Sequence, residues 1–215
     1  MLDSKNIKRN IIEIGKRLYD KGFTSGISGN ISYRSNGQIF ITGTGICLGE
    51  MNESDIVILD QDGNIVENEN IKPSSENMMH LEIYKLRPEI NSIIHAHPAY
   101  STSLAVSGET EFPSILAEPV VMFGKNIHVV EYETPSTIEL AKSVAKYFEK
   151  NDAVLMANHG ATVCGSNLKE TFYKLETLEF YSRVYLFSGL LNKRSELPEE
   201  KIQELLKLRH HEAGV

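Results

Sequence analysis

Cysteine is scarce. The 215 residues contain two, Cys47 and Cys164, too far apart to suggest a disulfide scaffold, so a reducing compartment fits and both read as small core residues. No apolar run approaches the roughly 18 residues that a membrane span needs. The opening Met1-Leu2-Asp3-Ser4-Lys5-Asn6 lacks the basic-then-apolar pattern of a secretory signal, and a cytoplasmic location is the expectation. Clustered positive charge is missing too: 22 Lys and Arg stand against 29 Asp and Glu, a formal net charge of −7. Nucleic acid and anionic membrane are bound through clustered cations that neutralise phosphates, so the charge argues against both partners. With 15 glycines, 7 prolines, 41% hydrophobic and 24% charged residues, the composition is globular, neither collagen-like nor disordered. No repeat, low-complexity stretch or linker divides the chain, and its length suits a single domain over 1–215.

What is present is an alternation of helical and extended patterns. Ile7, Ile11, Ile14 and Leu18 recur at helical spacing before Gly22. Ile31 to Tyr33 and Ile39 to Ile41 flank Ser35-Asn36-Gly37, a hairpin signal because Asn and Gly tolerate positive φ. Ile56 to Leu59 reads as a strand ending at the turn Gln61-Asp62-Gly63-Asn64. Met79, Ile83 and Leu86 predict a helix over Glu76–Leu86, closed by Arg87-Pro88. Short strands follow at Ser92 to His95, Val129-Val130, Ala153 to Ala157 and Ala161 to Cys164, with a helix over Ser101 to Val106. Ser136-Thr137-Ile138-Glu139 reads as a capping box opening a helix to about Lys150. The longest helix covers Leu168 to Leu190, an amphipathic piece Glu199 to Leu208, and the tail from about 209 to 215 is expected to be mobile. Strands in the middle with helices before, between and after predict an α/β protein, a mixed sheet covered on both faces in three α/β/α layers.

The densest chemical signal is His95-Ala96-His97. Residues i and i+2 of a strand point to one face, so two imidazoles converge at the end of an apolar strand. A catalytic zinc wants three protein ligands and an open position. His159-Gly160, where another apolar strand ends and the chain turns, is a natural third ligand. His80, His128, His210 and His211 carry no such signal and are left without a role. A second signal is Lys72-Pro73-Ser74-Ser75-Glu76, which presents hydroxyls and free N–H groups at a helix start, a setting for phosphate or carboxylate and also that of an ordinary capped helix. The third is a pair of glycine-rich turns, Ser25-Gly26-Ile27-Ser28-Gly29-Asn30 and Thr42-Gly43-Thr44-Gly45, whose amides can approach an anion. Neither is a Walker loop or a dinucleotide fingerprint, and no nucleophile elbow is present.

Taken in order, Ser28-Gly29-Asn30-Ile31-Ser32, Ile41 to Gly45, Pro73 to Glu76, His95 to Pro98 and Asn158 to Gly160 resemble the class II aldolase/adducin family, most of all its L-fuculose-1-phosphate aldolase branch. The likeness runs from about residue 5 to 190 with similar spacing. It implies a nine-stranded, mainly antiparallel sheet in an α/β/α fold, a C4 homotetramer with sites at subunit interfaces, and a bound zinc, with Mn2+ as another ion that could serve. Matched residue by residue, His95, His97 and His159 fall on the family's metal ligands. Glu76 falls on its catalytic acid/base, which also touches the metal, and Gly29, Asn30, Thr44, Gly45, Ser74 and Ser75 fall on its phosphate-binding positions. The implied reaction is reversible cleavage of a ketose 1-phosphate into dihydroxyacetone phosphate and an aldehyde.

The chain departs from that pattern on the aldehyde side. The stretch Pro113 to Pro119 has no aromatic where the branch carries one, a second aromatic position falls at about Pro135, and the last tyrosine is Tyr185. Sister activities therefore compete. The ribulose-5-phosphate 4-epimerases carry Asp where this chain has Glu76, and the methylthioribulose-1-phosphate dehydratases use a further acid that Glu118 could supply. A non-catalytic, adducin-like binding domain would lack the three histidines that this chain keeps.

Overall fold

The computed structural model describes residues 3–68, 70–191 and 194–212. Helix α1 (Ser4–Asp20) starts where the Asp3 carboxylate accepts from Asn6 N at 2.7 Å. Strands β1 (Asn30–Ser35) and β2 (Gln38–Thr42) form the expected hairpin, with Asn36 and Gly37 at φ 51° and 76°. They are followed by β3 (Ile56–Leu59), β4 (Ile65–Glu67), α2 (Asn77–Leu86), β5 (Ser92–Ala96), α3 (Ala99–Ala105), β6 (Glu111–Phe112) and α4 (Ala117–Phe123). The chain continues through β7 (Ile127–Val130), α5 (Ile138–Phe148), β8 (Ala153–Met156), β9 (Gly160–Gly165), α6 (Leu168–Leu190) and α7 (Glu199–Glu212).

The strands make one sheet in the order β4-β3-β2-β1-β5-β9-β8-β7-β6. Every neighbouring pair is antiparallel except β7 and β8. Alternation along the strands divides the core in two. Ile39 and Ile41 of β2, Ile93 of β5 and Val154 and Met156 of β8 pack under α2 and α5, against Met79, Ile83, Leu140 and Val144. Phe40, Ile94 and Leu155 face the other way, toward Ile11 and Leu18 of α1, Leu104 of α3 and Phe172, Leu175 and Leu178 of α6. Burying both faces of the sheet produces the expected α/β/α layers.

Several boundaries differ from the sequence expectation. The α5 cap is Thr137, whose hydroxyl accepts from Leu140 N at 3.2 Å, while Ser136 sits at φ 66° and cannot cap. Helix α7 runs to Glu212, so 209–212 is helical rather than loose, and 213–215 lie outside the described residues. Cys164 is buried, as expected of a core residue, but Cys47 is only half-buried in a loop. Strands β4 and β6 and helix α4 had no readable signal. Among the described residues no helix is long and apolar enough to cross a membrane.

Candidate metal and active site

One end of the sheet collects every motif. Antiparallel pairing sets the start of β1 against the end of β5, with Asn30 opposite His95, and the end of β5 against the start of β9, with Ala96 opposite Ala161. Ile31 N donates to Thr42 Oγ1 at 3.2 Å, which brings in the end of β2. Two glycines make this crowding possible. A Cβ on Gly29, at φ 79°, would stand 2.8 Å from Thr24 Cγ2 and 2.9 Å from His95 O; one on Gly160 would stand 2.5 Å from the His97 ring. Between β8 and β9, Asn158 at φ 55° turns the chain so that His159 faces the histidine pair.

His95, His97 and His159 each offer a ligand nitrogen, all within 4.8 Å of one another. His95 Nδ1 bonds Ala161 O at 3.0 Å. A carbonyl only accepts, so Nδ1 carries the proton and Nε2 keeps a lone pair. Burial pushes the His95 imidazole down to about 4, against the pull of Glu76, which keeps it neutral. Burial likewise lowers His97, and the neighbouring His159 lowers it further. His97 N donates to Phe23 O at 2.9 Å, and His97 Nε2 lies 2.9 Å from His95 Nε2.

Glu76 closes the fourth side from the N-cap position of α2, without capping that helix. Its Oε2 lies 3.1 Å from His95 Nε2 and its Oε1 3.4 Å from His159 Nε2. Burial works to raise its carboxyl, but the facing His95 and His159 and the hydrogen bond from Asn30 outweigh that and hold it below its ordinary value. An unprotonated His95 nitrogen thus faces a carboxylate oxygen with no proton to share, which is unfavourable unless a cation lies between them. Glu76 Oε1 and His159 Nδ1 are buried without a hydrogen-bond partner among the described residues. Ligands 2.0–2.1 Å from a tetrahedral zinc sit about 3.4 Å apart, and the separations of 2.9, 3.1 and 3.4 Å suit that size. The residues present fit a divalent ion.

Beside this cluster lie the expected anion-binding loops. Gly43 bridges Pro73, and Thr44 N donates to Lys72 O at 3.0 Å, so the 43–45 and 72–75 turns lie together. Thr44, Gly45 and Ser75 are exposed, whereas Ser74 is buried with its N–H on Thr42 O. Asn30 is buried and points inward: Nδ2 donates to Glu76 Oε2 at 2.9 Å and Oδ1 faces His80 Nε2 at 2.6 Å. Glu118 is exposed in the first turn of α4 and lines a cavity of about 540 Å³ together with Phe23 and Tyr100.

The family model described as Class II Aldolase and Adducin N-terminal domain matches residues 9–186. The chain belongs to the class II aldolase/adducin family. Among its relatives is an "L-fuculose phosphate aldolase" of Methanocaldococcus jannaschii, 36% identical over 86% of this chain and 99% of that protein. A "5-deoxy-D-ribulose 1-phosphate aldolase" of Bacillus thuringiensis is 34% identical over 93% of each chain. A "3-oxo-tetronate 4-phosphate decarboxylase" of Haemophilus influenzae is 32% identical over 83% of this chain and 86% of its own. A solved structure titled "L-fuculose 1-phosphate aldolase" superposes with a TM-score of 0.89 at 37% identity, covering 96% of this chain and 97% of that one. The protein is therefore an enzyme of the class II aldolase family, a lyase with that family's fold.

Two residues of this aldolase-family site escaped the sequence reading. His80, left there without a role, is fully buried behind Asn30, and burial pushes it down to about 3. Glu179 of α6 accepts from Tyr100 N, Ser101 N and Ser101 Oγ at 2.7–2.9 Å. Pro98, the α3 N-cap, has no side chain able to do this, so Glu179 caps that helix from another element and fixes the chain just after His97. No local pattern announces either contact.

Proposed function

We propose that this class II aldolase-family enzyme cleaves a ketose 1-phosphate of the L-fuculose-1-phosphate type, reversibly, into dihydroxyacetone phosphate and an aldehyde. The observation that carries the reading is the convergence of three imidazoles and the Glu76 carboxylate beside the phosphate-type loops. His95, His97 and His159, with Glu76, would hold the ion, zinc or alternatively Mn2+. A divalent ion bound there supplies Lewis-acid stabilisation of the negative charge that C3–C4 cleavage leaves on the donor oxygens.

This chain's own residues do the remainder. Glu76 Oε1, without a hydrogen-bond partner among the described residues, is placed to hold the proton that ends on C3. The Thr44 and Ser74 N–H groups are already engaged, so the substrate phosphate draws on the hydroxyls of Thr44, Ser74 and Ser75, the amides of Gly29 and Gly45, and the second N–H of Asn30. Holding the phosphate there fixes the reacting carbons relative to Glu76 and lowers the entropic part of the barrier. The family resemblance supports a homotetramer with sites at subunit interfaces, the two widely separated cysteines support a reducing, cytoplasmic setting, and the net charge of −7 supports an enzyme without nucleic-acid or membrane partners.

A second reading is favoured by two observations together: the missing aromatics of 113–119 and about 135, and the relative named as a decarboxylase. Both readings keep the metal and phosphate residues and differ in the bond broken. A coupled assay for dihydroxyacetone phosphate over a panel of ketose 1-phosphates, with carbon dioxide release from 3-oxo-tetronate 4-phosphate measured beside it, separates them. Release of dihydroxyacetone phosphate from an L-fuculose-1-phosphate-like member is the expected result. Release from none, with decarboxylation, dehydration or epimerisation instead, overturns the first reading.

A further inference from the structure

Behind Glu76 and Asn30 runs a ladder of buried polar side chains, Ser32, His80 and Tyr84, that the proposed reaction does not use directly. Asn30 and Ser32 lie two apart on β1, and Glu76, His80 and Tyr84 lie four apart on α2 and its cap. Two residues of strand rise about 6.6 Å and four of helix about 6.0 Å, so the two series stay in step and interleave. Asn30 Nδ2 donates to Glu76 Oε2 at 2.9 Å, and Asn30 Oδ1 is 2.6 Å from His80 Nε2. His80 Nδ1 is 2.7 Å from Ser32 Oγ, which is 2.8 Å from the Tyr84 hydroxyl. Asn30, Ser32, His80 and Tyr84 are each 3% exposed or less.

The direction of the bonds from Glu76 through His80 to Ser32 follows from the first member. The Glu76 carboxylate can only accept, so the Asn30 NH2 must face it and the Asn30 carbonyl must face His80. His80 Nε2 then carries the proton, leaving Nδ1 as an acceptor for the Ser32 hydroxyl. The Ser32 oxygen in turn can accept from the Tyr84 hydroxyl at 2.8 Å, whose one proton is shared with the Asn91 carbonyl at 3.3 Å. The opposite tautomer would turn the Asn30 amide around and set its carbonyl against the carboxylate, two acceptors facing in a dry site.

We propose that His80 is a positioning residue: through Asn30, the chain Tyr84–Ser32–His80–Asn30 holds the Glu76 carboxylate by Oε2 and leaves Oε1 free for the reaction. The readout in terms of turnover rests on the proposed aldol cleavage; the tautomer does not. In the metal-free chain, long-range proton–nitrogen NMR of His-labelled protein should show His80 protonated on Nε2 and bare on Nδ1, with His80→Gln used to assign the signal. A proton on Nδ1 overturns the proposal whatever the substrate.

Turnover gives the second arm. His80→Leu should lower kcat about 10–100-fold, as loss of a supporting hydrogen bond does, with KM little changed and folding confirmed by circular dichroism. His80→Gln places an amide N–H near the same Asn30 oxygen and should recover most of that loss. Equal kcat in a folded His80→Leu chain and the natural one would overturn the role. If His80→Leu does not fold, Tyr84→Phe, which removes only the far end, should lower kcat by less and leave the His80 tautomer in place; a switched tautomer there would also overturn it. A chain with the Nε2–H tautomer but no dihydroxyacetone phosphate release would support the ladder while defeating the proposed reaction.

Discussion

Two carboxylates of this molecule, the buried Glu76 and the half-buried Asp152, keep opposite company. Asp152, just before β8, is met by Arg87 Nη2 at 3.0 Å and Lys174 Nζ at 3.1 Å, with Arg209 at 3.8 Å. Lys174 also donates to Cys164 O and pairs with Glu170, and Arg87 donates to Phe148 O and Asn151 O. Charges are matched, donors find acceptors, and the cluster ties α2, α5 and α6 together at the end of the sheet away from the histidines. Glu76 is met by the His95 imidazole, which burial keeps neutral, and by His159, and its Oε1 has no hydrogen-bond partner among the described residues. An acid enclosed by cations is finished as it stands, whereas an acid enclosed by lone pairs awaits a cation. The first arrangement serves the fold, the second a ligand.

Substitutions should separate the two. The largest effect belongs to Glu76→Gln, which keeps shape and hydrogen bonding but removes the base: kcat should fall about 10²–10⁴-fold while the melting temperature holds, and a fully active variant would remove Glu76 from the chemistry. Asp152→Ala should do the reverse. Leaving Lys174 and Arg87 without their acid should cost about 3–5 kcal/mol of stability, read by chemical denaturation, with kcat per folded molecule preserved.

The next effect depends on pH. His80 has its folded pKa depressed from 6.5 to about 3 by burial. The unfolded chain therefore binds the extra proton, so this contribution to stability is complete above pH 6.5 and is lost as pH falls from 6.5 toward 3. His80→Gln should flatten the fall in denaturation midpoint of the metal-free protein across that window; an unchanged slope would mean that His80 is not buried neutral. The smallest effect is Glu179→Ala, which uncaps α3 and should cost about 0.5–2 kcal/mol. Faster hydrogen exchange at Tyr100 and Ser101 would report the loss directly.

The same contrast explains what the sequence could announce. His95 and His97 were readable because strand alternation alone puts i and i+2 on one face, and His159 because a glycine follows it at a strand end. His80 was not, because its ladder with Glu76 and Tyr84 shares α2 with Met79 and Ile83 and passes for an ordinary amphipathic pattern. Only pairing with Asn30 and Ser32, about fifty positions earlier, shows the polar series. Glu179 is hidden likewise, since it caps a helix seventy-eight residues before it. Most of the fold was readable from apolar runs and turns. Strand β6 has two residues, β4 has three exposed ones and α4 carries Pro119 in its first turn, so tertiary contacts rather than local pattern decide them. Thr137 took the cap from Ser136 because the latter adopted a left-handed backbone.

The central claim is that three imidazoles and a carboxylate share one divalent ion. X-ray absorption on the zinc-loaded protein tests it most directly. The account predicts one zinc per chain, with three imidazole nitrogens and at least one oxygen at about 2.0–2.1 Å, and loss of the signal in His95→Ala. Zinc that stays in that variant, or that shows fewer than three imidazoles in the natural chain, would contradict it.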